Sequence, residues 1–210
     1  MDTNQLSLLC NGMILILTTV IVIGDVLREK EKGRPGLTFR YFTTDSNIFS
    51  ALTALLTLPW NLRAMETGTA LALPEWLTVL KLLSAFSVAV TFMVVMLFLG
   101  PTQGYKPMLT GTNAYMHVLG PILAALTFGL WEGPVRLSMV SILMALIPVV
   151  VYGALYMYMV IIRGEEKGGW PDFYGFNRGG HWPLSAVGVA ALCAVMAFLL
   201  ILSRNGFAAA

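Results

Sequence analysis

The chain has 210 residues, 57% of them hydrophobic and 11% charged, with a formal net charge of +2. Soluble domains carry about 25% charged residues, so this composition excludes a water-facing globule, and a mean hydropathy of +0.77 points to lipid as the solvent. The basic excess is small and no Lys/Arg cluster is interleaved with aromatics, which gives no footing for a nucleic-acid partner.

A membrane span takes about 20 largely apolar residues. In chain order the sequence predicts such spans over 5–27, 43–62, 77–99, 113–131, 139–162 and 183–203. The runs are too long, and lack the period-2 alternation, for a β-barrel. The expected fold is an all-α integral membrane protein, one bundle of six transmembrane helices over 1–210. The leader MDTNQLS carries Asp2 and neither Lys nor Arg, and no small-residue cleavage site follows the apolar run, so the first segment is expected to stay as a span. Cys10 and Cys193 both fall inside spans, where they read as buried apolar fillers. No metal site and no resident cofactor is expected.

With six spans, the loops 28–42, 100–112 and 163–182 share one side of the membrane. That side holds Arg28, Lys30, Lys32, Arg34, Arg40, Lys106, Arg163, Lys167 and Arg178, against Arg63, Lys81, Arg136 and Arg204 on the other. Nine against four predicts that the first side is cytoplasmic and that both termini lie outside. The polar residues near span ends gather on the same side: Asp25 closes span 1, RYFTTDSN opens span 2, Asn113 and His117 open span 4, and His181 precedes span 6. Lys81 is the exception. This clustering predicts a shared pocket at the basic end.

Two polar stripes lead into that pocket. Thr43, Ser46, Ser50, Thr53 and Thr57 are spaced three and four apart on span 2, with Asn47 on the flank; Asn113, His117, Gly120, Ala124 and Thr127 are spaced likewise on span 4. Small and hydroxyl-bearing stripes serve first as packing seams between membrane helices. Thr43, Ser46, Asn47 and His117 stand apart because they sit where the seam meets the polar end. In MHVLGP, Pro121 cannot donate to the carbonyl of His117, which predicts a kink beside an ionisable residue inside a span.

A hydroxyl becomes a nucleophile when a base takes its proton, and histidine suits that role. Thr43 is the candidate nucleophile, with the adjacent Thr44 as its alternate, and His117 is the candidate base. Ser46, Asn47 or free N–H groups at the start of span 2 are candidate oxyanion donors. Asp25, Asp45, Asn47 and Asn113 remain open as the group that orients the histidine. Ser50, Gly120, Pro121 and His181 are candidate pocket residues.

RYFTTDSN, MHVLGP about 70 residues later and VIIRGEEKGGWPDFYGFN before the last span resemble the androgen-induced-gene family of six-span membrane proteins and its bacterial relatives. The resemblance implies a threonine hydrolase that cleaves fatty acid esters of hydroxy fatty acids or similar lipid esters. It matches Thr43 to the family's nucleophile and His117 to its histidine. Membrane lipids and a lipid ester are then the expected partners. Two rivals stand beside this reading. His117 and His181 are a pair able to ligate one haem. Alternatively, the stripes line the path of a small-solute transporter, although the polarity is expected to fade beyond Thr57 and Thr127.

Overall fold

The computed structural model describes residues 1–133, 136–138 and 140–207, and no strand occurs among them. The long helices are α1 (Thr3–Glu31), α2 (Phe42–Thr67), α3 (Glu75–Gln103), α4 (Thr112–Trp131), α5 (Ser141–Met157, continued by the π-helical turn Tyr158–Arg163) and α6 (Trp182–Phe207). Residue 139, the expected start of the fifth span, and loop positions 134 and 135 lie outside the described residues. Five helices are long and apolar enough to cross a membrane, as expected of a multi-pass integral membrane protein. α2 is not among them: it has 26 residues, but Thr43, Thr44, Asp45, Ser46 and Asn47 at its start and Asn61 near its end lower its hydropathy.

Local sequence sets the ends. Asp2 caps α1 by accepting from the Gln5 N–H at 2.8 Å, and the Gln5 side chain accepts the Asp2 N–H at 3.1 Å. α2 stops at Gly68, whose φ of +64° is the left-handed conformation that a glycine adopts without strain. In α4 a π-helical turn over Tyr115–Leu119 is closed by the Gly120 N–H on the Tyr115 carbonyl, immediately before Pro121. The widened turn absorbs the hydrogen bond that Pro121 cannot give, and His117 sits inside it.

The bundle is polar inside and apolar outside. Leu143, Val150, Ile162, Leu184 and Val187 are exposed, as are Ile16, Val20 and Leu52. The core combines Ile14, Leu82, Phe86, Phe128, Cys193 and Ile201 with buried Ser, Thr and Asn side chains. Ser46 meets Thr91 at 3.0 Å and Thr53 meets Ser84 at 2.8 Å, both between α2 and α3. Asn47 donates to the Met116 carbonyl at 3.0 Å, tying α2 to α4, and Thr18 meets the Tyr115 hydroxyl at 2.9 Å, tying α1 to α4. Gly120 permits the α2–α4 approach, since a Cβ there would lie 3.0 Å from Asn47 Oδ1.

The polarity does not fade towards the second end. Lys81 of α3 is 2.8 Å from Glu132, and Asn11 of α1 bonds both. Arg204 of α6 donates to the carbonyls of Phe128 and Glu132 and stacks on the Phe128 ring. This corrects the expectation of an apolar far end. Glu132 follows Trp131 directly and was expected in a loop. The chain turns at Gly133, whose φ is +92° and where a Cβ would lie 2.5 Å from the Leu71 carbonyl oxygen, so Glu132 stays inside the bundle.

Breaking such a pair leaves a buried charge alone. Glu132→Ala is expected to cost about 3–5 kcal/mol, and Lys81→Met combined with Glu132→Leu less, since the remaining buried cation, Arg204, is still held by the carbonyls of Phe128 and Glu132. Reversible unfolding in detergent checks both; equal losses would contradict the pairing.

Candidate active site

At the end of the bundle where α1 finishes and α2 and α4 begin, a cavity of about 490 Å³ opens between the helices. Thr43 and Thr44 from α2, Asn113, Met116 and His117 from α4, and Asp25 from α1 line it. Tyr41, Met108, Phe173 and Tyr174 line it from the connecting segments. Arg28, Glu29, Lys32 and Arg34 form its charged rim.

The histidine is held in one tautomer. A carbonyl only accepts, so His117 Nδ1 carries the proton it gives to the Met108 carbonyl at 2.8 Å. Nε2 is then left with its lone pair. The orienting group is this backbone carbonyl, not any of the side chains expected for the task. Asp25 is paired with Arg28 one turn along α1, and the Asn113 amide donates to the Pro107 carbonyl at 3.0 Å. Met108 lies in the short helical turn Tyr105–Met108, and nothing in its side chain could have announced a role for its carbonyl.

The threonine hydroxyls are unengaged. Among the described residues neither the Thr43 nor the Thr44 hydroxyl has a hydrogen-bond partner, and neither is bonded to His117. The Thr43 carbonyl, by contrast, accepts from Ser46 Oγ at 3.2 Å and from Asn47 Nδ2 at 2.8 Å. Ser46 and Asn47 are therefore spent on holding helices together, and neither lines the cavity. That removes them as oxyanion donors. Ser50, Gly120 and Pro121 are buried in the helix seam behind the cavity, and His181 is exposed at the start of α6, outside the lining.

The first turn of α2 is held by a segment that sequence reasoning left without a role. The Phe42 N–H donates to the Tyr174 hydroxyl at 3.0 Å, and the N–H groups of Thr44 and Asp45 go to the Tyr41 carbonyl. Thr43 N–H is the remaining first-turn donor. Tyr174 sits in the turn PDFYGFN, which Asp172 ties by accepting from the Phe176 and Asn177 N–H groups, each at 2.8 Å, and from the Tyr156 hydroxyl at 2.7 Å. Burial pushes the Tyr174 phenol up to about 12, so it stays a neutral partner. Tyr152 adds a bond of 2.7 Å to the Arg40 carbonyl. Aromatic rings of Tyr41, Phe42, Tyr152, Tyr156, Phe173 and Tyr174 pack around these bonds. The sequence signal was there: four aromatics and an acid within GWPDFYGF, between two spans.

Comparison with family models, curated proteins and solved structures finds no match for this chain.

Tyr174→Phe keeps the ring and removes the hydroxyl. It is expected to cost about 1 kcal/mol, or about five-fold faster exchange of the Phe42 amide, with amides at the middle of α2 unchanged. Hydrogen exchange followed by mass spectrometry reads the difference. Unchanged exchange at Phe42 would show that the bond carries no weight.

Proposed function

We propose that this protein is a membrane-embedded hydrolase of lipid esters, with Thr43 as nucleophile and His117 as general base. The observation that carries the reading is the shared cavity. Two unbonded threonine hydroxyls and a histidine whose Nε2 keeps its lone pair line one chamber open to the bundle's end. In this reading all six long helices cross the bilayer, α2 included, because its polar face is turned to α1, α3 and α4 while Leu52, Leu55 and Leu62 meet lipid. The loops on the cavity side are cytoplasmic by their positive charge.

The chemistry runs in two halves. Thr43 Oγ1 attacks the ester carbonyl as its proton passes to His117 Nε2. The Thr43 N–H, next to the site of attack at a helix start, is placed to stabilise the developing oxyanion. Collapse expels the alcohol, which takes its proton from His117. Water, deprotonated by the same nitrogen, then cleaves the acyl-threonine. The Thr–His contact is not made in the free protein, and the bound ester must draw the two together, as is common in unliganded active sites.

The resemblance to the androgen-induced-gene family supports the choice of substrate class, esters of fatty acids with hydroxy fatty acids or similar lipids. Leu37, Leu99, Met108, Met116 and Phe173 in the cavity wall suit an acyl chain, and Arg28, Lys32 and Arg34 at the rim suit a carboxylate or headgroup. Haem ligation by His117 and His181 together draws no support, since His181 lies outside the cavity that His117 lines.

A fluorophosphonate probe is expected to label Thr43 in the detergent-purified protein, and His117→Ala to slow labelling about 10²–10⁴-fold. Peptide mass spectrometry locates the adduct. An adduct on Thr44 would move the nucleophile by one residue. A folded protein that takes no label on either would contradict the reading.

A further inference from the structure

The hydrolase reading leaves unused a pair of deeply buried charges. Lys81 is 2% exposed and Glu132 1%, both at the end of the bundle opposite the cavity. Their carboxylate–ammonium contact is lopsided. Glu132 Oε1 receives Lys81 Nζ at 2.8 Å and Asn11 Nδ2 at 2.9 Å, while Oε2 is buried with no partner. A pair kept only for stability would have both oxygens bonded, because a bare carboxylate oxygen in a low-dielectric interior is costly.

Of the other buried oxygens without a hydrogen-bond partner, Glu29 Oε2 and Asn177 Oδ1 lie at the cavity end, and Asn61 Oδ1 and Thr78 Oγ1 lie in α2 and α3. Helix register brings the latter two to the same level. From Ser46 to Thr53 on α2, and from Thr91 to Ser84 on α3, the paired hydroxyls advance by equal steps in opposite directions. Continued by two more turns, that register sets Asn61 beside the first turns of α3, where Thr78 lies one turn from Lys81. Buried oxygens left open in native proteins are the places where internal water binds.

Between this level and the cavity lie two hydroxyl pairs, Ser84 with Thr53 and Thr91 with Ser46, about two helical turns apart. The other hydroxyl bonds there, from Ser84, Thr57 and Ser46, end on backbone carbonyls that carry no proton, so water must join the two pairs. Thr43 to Asn61 is about 27 Å of helix, close to the roughly 30 Å of a bilayer's hydrocarbon core. Ionisable groups kept inside membrane spans mark ion and proton routes.

We propose that the Lys81–Glu132 pair is a proton-exchange site, linked by internal water and the α2–α3 hydroxyl row to the cavity, through which the protein passes protons across the bilayer. Glu132 Oε2 takes the arriving proton as an O–H bond, and Lys81 Nζ gives one up from an N–H bond to water on the route. The incoming proton later restores the ammonium, so charge and atoms balance with no co-reactant. The groups beside the pair are Ser7, Cys10 and Asn11 from α1 and Arg204 from α6, with Asn61 and Thr78 at its level by register. Arginine keeps its proton, and the others among them are neutral. The proposal stands apart from the hydrolase reading and does not need it.

The test uses the full chain in phosphatidylcholine vesicles loaded with a pH-sensitive dye, driven by a valinomycin-induced potassium potential. Wild-type protein is expected to acidify the lumen several-fold faster than empty vesicles. The combination Lys81→Met with Glu132→Leu, which removes both partners of the pair, is expected to return the rate to that of empty vesicles. Thr53→Val, which keeps the shape and removes a hydroxyl from the row, is expected to slow it. Wild-type flux equal to that of empty vesicles would overturn the proposal, as would full flux in the folded double variant. If the double variant does not fold, undiminished flux in Thr53→Val overturns the route. Fluorophosphonate labelling of the same samples reads the hydrolase separately.

Discussion

In this molecule hydrocarbon is outside and hydrogen bonding is inside, and the rest of the structure follows from that inversion. Helices surrounded by lipid gain little from burying leucine against leucine, so they associate through close packing and interhelical hydrogen bonds. Ser46 with Thr91, Thr53 with Ser84, Asn47 with the Met116 carbonyl and Thr18 with Tyr115 are those bonds. Three of them fix α2 against α3 and α4, and the fourth ties α1 to α4. Once α2 is fixed, its first turn, with Thr43 and Thr44, is fixed against the first turns of α4, where His117 lies.

The cavity exists because that packing stops short of the helix ends. Below it, small and hydroxyl side chains let the backbones close up, with Gly120 leaving room for the Asn47 side chain. At the cavity itself the walls are held from outside the long helices. Met108 fixes the histidine, and the knotted turn around Asp172 delivers Tyr174 to the Phe42 N–H. Hydroxyl and imidazole are thus each supported from behind and unengaged in front.

Much of this was legible in the sequence. The apolar runs marked the long helices, and the polar starts of α2 and α4 marked one busy end. The residues picked there for reactivity, Thr43, Thr44, Asn113 and His117, do share a cavity, with Asp25 at its edge. The misreadings have physical causes. Ser46 and Asn47 look like site residues by spacing, but a helix face is about 100° per residue, and theirs turns to α3 and to the Met116 carbonyl. The histidine's partner is a backbone carbonyl, which no side-chain pattern encodes. Glu132 looked like a loop residue because the apolar run ends at Trp131; only the tight turn at Gly133 brings it inside. His181 shares the polar end by position in the chain, but the start of α6 lies at the bundle's edge.

The most direct test of the account is to catch the acyl-enzyme. Purified protein would be mixed with an activated long-chain ester, quenched in acid within a single turnover and digested for mass spectrometry. The account predicts an acyl group on Thr43, which accumulates in a burst and decays as free acid appears. Ester turnover with no acylated threonine, or with the acyl group on a residue outside the cavity, would contradict it.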